Sequence, residues 1–180
     1  MKRIVLFLAV ALLWTVPLAA RAATTIPVPD TSQTTTFSAS VDEQCSITVP
    51  NDVIFVVTDV ATQTTTSGVT LSVSDIVLAT ATKQLKISIQ ANAASFTPPV
   101  ALATTWAAGD ITWEDSTWTN ATGAAGTMSN TAYHELATAD ADVATCAGTD
   151  IVFHLAAKST VKRSGDHTLD CTWKIESIGI

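Results

Sequence analysis

Apolar and polar residues alternate along several short segments of this chain. The two clearest examples are the apolar rows Ile151, Phe153, Leu155, Ala157 and Leu169, Cys171, Trp173, Ile175. Successive side chains of a β-strand point to opposite faces, so each row predicts a half-buried strand. Residues 158–166, which contain Gly165, are predicted to join the two strands as an antiparallel hairpin.

The same pattern predicts further strands earlier in the chain. They are expected along 37–49, at 53–57, around 69–73, around 85–89 and at 111–113. Polar segments with Ser, Thr, Gly or Pro separate them, the longest being 116–130, and only 130–137 is predicted to be helical, for about two turns. Short alternating strands with such connections favour antiparallel pairing over a parallel sheet with crossover helices. The predicted fold class is all-β, an antiparallel immunoglobulin-like β-sandwich.

The first 22 residues have the three parts of a cleavable signal peptide. Lys2 and Arg3 precede an apolar run from Ile4 to Trp14, and Ala20-Arg21-Ala22 forms a small-residue cleavage site. An uncleaved anchor is the alternative, although the core from Ile4 to Ala20 is shorter than the roughly 20 apolar residues of a spanning helix. The predicted organisation is a signal peptide at 1–22, an extended or flexible leader at 23–36 and a β-sandwich domain at 37–180. The predicted location is extracellular, cell-surface or periplasmic, with no membrane span after cleavage.

The predicted mature chain is strongly acidic. The signal carries three of the nine basic residues and none of the sixteen acidic ones, which leaves a formal charge of −10. Such a charge argues against nucleic acid and anionic lipid as partners, and it favours solubility.

Three cysteines in an exported chain predict one disulfide and one remaining thiol. Sequence permits three pairings. Cys171 lies on a predicted inward row, where a free thiol packs as a small apolar group. We therefore expect a Cys45–Cys146 disulfide. The cysteine and histidine spacings fit no redox or structural-zinc motif.

The sequence supplies candidates for ligand binding and none for catalysis. His134, His154 and His167 stand in no catalytic signature, so we predict no catalytic residues and no enzyme, an unrecognised hydrolase being the residual alternative. No cofactor is expected except calcium, for which the candidate ligands are Asp140, Asp142 and Asp150. The aromatic residues Trp106, Trp118 and Tyr133 are the candidates for stacking on sugar rings.

A resemblance is carried by the segment FSASVDEQCSITV, residues 37–49, which follows the signal peptide and leader. It resembles the opening strand of secreted pilin-type and spore-coat-U-type surface fibre subunits. The resemblance implies an incomplete sandwich, completed when a neighbouring subunit donates an extended N-terminal segment as a strand. In this chain the leader would donate, with Ile26 and Val28 pointing the same way; a flexible tether is the leader's other interpretation.

The sequence therefore predicts a secreted or surface-exposed structural or adhesive protein, in its specific form a subunit of an extracellular fibre. The expected partners are further copies of the chain or other surface proteins. The alternative is a carbohydrate-binding module that uses the loop tryptophans to bind glycans.

Overall fold

A computed structural model describes residues 35–180, so the predicted signal peptide and nearly all of the leader lie outside the described residues. The chain divides after Ala39, and the unit from Ser40 to Ile180 contains every strand described here. Its strands are β1 (Gln44–Thr48), β2 (Thr64–Thr65), β3 (Val69–Val77), β4 (Lys83–Ala91), β5 (Ile111–Trp113), β6 (Trp118–Thr119), β7 (Ala121–Gly123), β8 (Gly126–Thr127), β9 (His134–Ala139), β10 (Cys146–Ile151), β11 (Phe153–Leu155) and β12 (Cys171–Gly179). A 3-10 turn, Ala108–Asp110, precedes β5.

The strands form three antiparallel sheets of four strands each. Sheet A has the order β1-β3-β10-β6, sheet B the order β2-β11-β5-β8 and sheet C the order β12-β4-β9-β7. This arrangement confirms the prediction of an all-β, antiparallel fold. Between residues 35 and 180, no helix is long and apolar enough to cross a membrane.

Within the described residues, no strand pairs with the strand that directly follows it in the chain. The predicted hairpin between the last two strands is therefore wrong. β11 pairs with β2 and β5 in sheet B, whereas β12 pairs with β4 in sheet C over nine residue pairs, from Cys171↔Ala91 to Gly179↔Lys83. Residues 156–170 carry the chain from one sheet to the other instead of forming a tight turn.

The chain also changes sheets where two strands are nearly continuous. β10 belongs to sheet A and β11 to sheet B, although only Val152 separates them. The pairing of β10 with β3 shifts register between Gly148 and Ile151, and Asp150 within this bulge has a φ of 56°. A bulge bends the chain, which explains how the nearly continuous strands β10 and β11 can belong to two different sheets. The predicted row is nevertheless buried at Ile151, Phe153 and Leu155.

The core gathers apolar side chains from all three sheets. Trp113 of β5 packs edge-on against Phe153 of β11, with ring centroids 6.0 Å apart. β4 lies between β12 and β9, and its inward row is buried along the strand. The largest fully buried apolar side chains are those of Trp113, Leu71, Ile87, Leu136, Ile151 and Val73.

Three sequence predictions are wrong or only partly confirmed. Residues 134–139 form strand β9 instead of a helix, because Leu136, Ala137 and Ala139 are buried there and tertiary packing overrides a short helical preference. The polar segment 116–130 contains the short strands β6, β7 and β8. The predicted strand 37–49 is confirmed only over 44–48.

Candidate functional site

Residues 53–57 are extended and alternate in exposure, yet they belong to no sheet. Val53, Phe55 and Val57 are half-buried, while the side chains of Ile54 and Val56 between them are 68% and 73% exposed. No backbone hydrogen bond joins residues 49–58 to another residue of the described chain. The predicted strand at 53–57 is thus absent as a paired strand, although its side chains alternate as a strand's do.

A groove of about 1350 Å³ lies beside this segment. Residues 49–57 line one part of it and residues 161–173 another. Its apolar lining reaches into the core and includes Ile89, Phe96, Trp106, Ile111, Phe153 and Leu155. Pockets for small molecules usually measure about 300–1,000 Å³. The larger volume here suits a polypeptide segment better than a small ligand.

Strand β12 also contributes to the lining of the groove, through Cys171 and Trp173. This strand is at the edge of sheet C, since β4 is its single partner among residues 35–180. The row Cys171, Trp173 and Ile175 is only half-buried, although it packs against the core. Edge strands present unpaired N–H and C=O groups that can bind another strand. The groove therefore combines an apolar interior with an extended segment, 53–57, that has no backbone partner in the described structure, and with a strand, β12, that has one free edge there.

An ion pair ties sheets A and C together away from the groove. Glu43, directly before β1, lies 2.9 Å from the ammonium of Lys83 at the start of β4, and its Oε1 also accepts the N–H of Ala79 at 2.8 Å. The hydrogen bond from Lys83 is the main reason that the pKa of Glu43 falls below its ordinary value.

The three cysteines are free thiols, so the predicted Cys45–Cys146 disulfide is not formed. Cys45 lies on β1 and Cys146 on β10, and β3 runs between these strands. Two inter-strand spacings separate such residues by about 10 Å, whereas a disulfide needs Cα atoms within about 7 Å. Burial raises the pKa of Cys146 and of Cys171 to about 11 each, and it also raises the pKa of Cys45.

The three aromatic candidates for glycan binding differ in exposure. Trp106 is 4% exposed, its indole N–H donates to the carbonyl of Ala156 at 2.9 Å, and its ring lines the groove. Trp118 is half-buried, with its indole N–H 3.0 Å from Ser116 Oγ. Tyr133 is exposed, and the ammonium of Lys174 lies 5.2 Å from its ring centroid. Sugar stacking needs an open ring face, so Trp106 is unsuited to the role predicted for it.

The calcium candidates are exposed and lie in two separate segments of the chain. Asp140 and Asp142 follow β9, while Asp150 is in the bulge of β10. Over the described range 35–180, no group of three or more His, Cys, Asp or Glu side chains could hold a metal ion.

Two of the three histidines contribute to local structure. His167 contacts Thr105 Oγ1 at 2.7 Å and the Arg163 carbonyl at 3.2 Å, and it packs edge-on against Trp106 with centroids 5.2 Å apart. His154 contacts Thr65 Oγ1 at 3.1 Å, across the pairing of β11 with β2. His134 is exposed.

The groove was not a candidate from sequence, because the run 53–57 has the composition of an ordinary paired strand. No protein-family model, curated protein or solved structure matches the chain.

Proposed function

We propose that this chain is an exported structural subunit of a surface fibre, an incomplete immunoglobulin-like sandwich whose groove accepts a strand from another copy. The observation that carries the proposal is the groove itself, with the unpaired segment 53–57 and the edge strand β12 both contributing to its lining. A strand inserted there would cover apolar side chains and provide partners for backbone groups that have none in the described structure.

The partly exposed apolar side chains of the groove support the proposal that another segment occupies it. Val53, Phe55, Val57, Cys171 and Trp173 all line the groove and remain partly open to solvent. Burying apolar area stabilises a complex by about 25 cal/mol per Å² before the costs of association. A strand with two or three inward apolar side chains would supply this burial, whereas a sugar would leave most of the apolar lining uncovered.

The leader 23–36 has a composition that suits a donor. In an extended conformation Ile26 and Val28 point to one face. Pro27 and Pro29 each lack a backbone N–H donor, and the loss of two donors weakens strand pairing. Alternate residues of a strand direct their hydrogen bonds to the same neighbouring strand. Both missing N–H groups are therefore on one edge of the leader, and residues 26, 28 and 30 keep their N–H groups on the other edge.

The proposal is tested by disulfide trapping between two differently tagged copies of the mature protein. One copy carries Val28→Cys with Cys171→Ser, and the other keeps its native leader and Cys171. Under oxidising conditions we expect a mixed dimer, with peptide mapping linking position 28 to Cys171. A second acceptor that carries Phe55→Cys with Cys171→Ser should give the same dimer through position 55. The matched control is Thr25→Cys in place of Val28→Cys, since position 25 points to the opposite face.

Negative-stain microscopy and size-exclusion chromatography of the unmodified mature protein complete the test. Polymers together with the mixed dimer support the proposal. Monomers at high concentration, with no position-28 link, would remove it.

A further inference from the structure

Two adjacent basic residues, Lys162 and Arg163, line the groove beside its apolar interior. Both are exposed, and the segment that holds them is anchored. Val161 is buried in the core, its N–H donates to the Lys158 carbonyl at 3.0 Å, and His167 contacts the carbonyl of Arg163 at 3.2 Å. The backbone that carries these two cations is therefore held beside the groove.

These cations are unusual in an acidic protein. Residues 35–180 contain fifteen acidic and six basic side chains. The other four basic residues lie in ion pairs, Lys83 with Glu43, Lys86 and Lys174 with Glu176, and Lys158 with Asp110. Within that same range, neither Lys162 nor Arg163 has a carboxylate within salt-bridge distance. The groove also has acidic residues, namely Asp52, Asp166 and Asp170. The basic pair would attract the carboxylate of an occupant that carries only one, and these acidic residues would repel it. One position of the occupant along the groove would therefore be favoured.

The leader carries one charged residue, Asp30. In an extended strand Asp30 points to the same face as Ile26 and Val28, about 7 Å beyond Val28. A carboxylate on the apolar interior of the groove would lose its hydration without compensation. It is therefore expected outside that interior, and the basic pair is the part of the lining that would attract it. From this we infer, resting on the proposed strand donation, that Asp30 of a donor copy pairs with Lys162 and Arg163 of the acceptor and fixes the register of the donated strand.

The inference assigns a role to each inward residue of the donor. Ile26 and Val28 fill the apolar interior, and Asp30 ends the inward row at the basic pair. A slip of the strand by two residues would move the carboxylate about 7 Å away from the cations and bring one apolar side chain out of register. Charge complementarity of this kind acts on specificity and register more than on total affinity.

The test is charge reversal in the mature protein, using the trapping assay between tagged copies described above. We expect Asp30→Lys in the donor, and separately Lys162→Glu with Arg163→Glu in the acceptor, to lower the yield of the position-28 link about tenfold at low salt. Combining the reversed donor with the reversed acceptor should restore the yield. Asp115→Lys is the matched control for the donor change, because it alters the net charge as Asp30→Lys does, at an exposed residue that does not line the groove. Thermal melting of each variant checks that it is folded.

The outcomes separate this inference from the proposed function. If the unmodified pair gives no link, strand donation itself fails. If the link forms and neither reversal changes its yield, or if both reversals lower it and their combination does not restore it, donation stands and the pairing of Asp30 with the basic residues is wrong.

Discussion

Glu43 and Lys83 form a 2.9 Å ion pair that joins the start of β1 in sheet A to the start of β4 in sheet C. Glu43 also accepts the N–H of Ala79, in the connection between β3 and β4. The start of β1 is thus held by two contacts of the Glu43 carboxylate, one with the Lys83 ammonium and one with the backbone N–H of Ala79. From its other end, the chain continues into residues 49–57, which have no backbone partner among the described residues.

The first prediction concerns the pH dependence that Glu43 confers. Its pKa is lowered in the folded state, so it adds stability above the pKa of the unfolded chain, about 4.3. That contribution is lost as the pH falls through the lower, folded-state pKa. We expect Glu43→Gln to reduce the urea midpoint at neutral pH, and the difference from the parent protein to disappear in strong acid.

Asp115→Asn is the control for this measurement, because Asp115 is exposed and takes part in no side-chain hydrogen bond or ion pair among residues 35–180. A constant difference between Glu43→Gln and the parent at every pH would show that the carboxylate charge is irrelevant.

The second prediction tests the packing of β8 on β5. A Cβ atom at Gly126 would lie 2.3 Å from Cζ2 and 2.7 Å from Cε2 of Trp113, a buried ring in the core. We expect Gly126→Ala to lower the free energy of unfolding by about 1–3 kcal/mol, the usual cost of overpacking. Chemical denaturation measures it.

Gly179→Ala is the matched control, since a Cβ there meets no atom within 4 Å. Equal stability of the two alanine variants would contradict the close approach of Gly126 to Trp113.

The third prediction concerns thiol reactivity. With a pKa of about 11, Cys146 and Cys171 hold roughly one thiolate per thousand molecules at about pH 8. We expect alkylation of the native protein to proceed at Cys45 first, and at the other two cysteines more than about tenfold slower than in the unfolded chain. Peptide mass spectrometry over a time course measures the order.

Intact mass gives the corresponding check on the oxidation state. A native protein 2 Da lighter than the fully reduced chain, with a Cys45–Cys146 linked peptide, would restore the disulfide that the strand positions argue against.

The fourth prediction follows from the Ala20-Arg21-Ala22 site. We expect exported protein to begin at Ala23, and Ala22→Leu to leave a longer precursor, because the peptidase requires a small residue there. Ala23→Ser should be cleaved normally. Recovery of chains that begin at Met1 in a membrane fraction would favour the anchor interpretation.

Much of the fold could be predicted from local pattern. The rows Leu85, Ile87, Ile89 and Ile151, Phe153, Leu155 are all buried in strands, as their alternation indicated. Alternation reports which face of a strand is covered, and that information is contained within about five consecutive residues.

The partners of each strand could not be predicted in the same way. β12 follows β11 in sequence yet pairs with β4. Residues 53–57 alternate like a strand yet pair with no other segment of the described chain. Pairing depends on contacts between distant residues, which single-segment patterns do not encode. The cysteine pairing failed for the same reason, because the position of β3 between β1 and β10 is a property of the sheet order. Trp106 was misplaced because polar neighbours in sequence suggested an exposed loop, whereas its ring is enclosed by Phe96 and His167.

In the described structure no strand pairs with the strand that follows it, so each sheet can be completed only after distant parts of the chain have been synthesised. Ala91 of β4 meets its partner Cys171 only after 80 further residues have been synthesised. Folds dominated by such distant pairings fold slowly, on the millisecond-to-second scale, because loop closure must precede the gain from contact. One edge of β4 is therefore open throughout the synthesis of the intervening chain. The pairing of β4 with β12, the longest in the described structure, is therefore also the last to be completed.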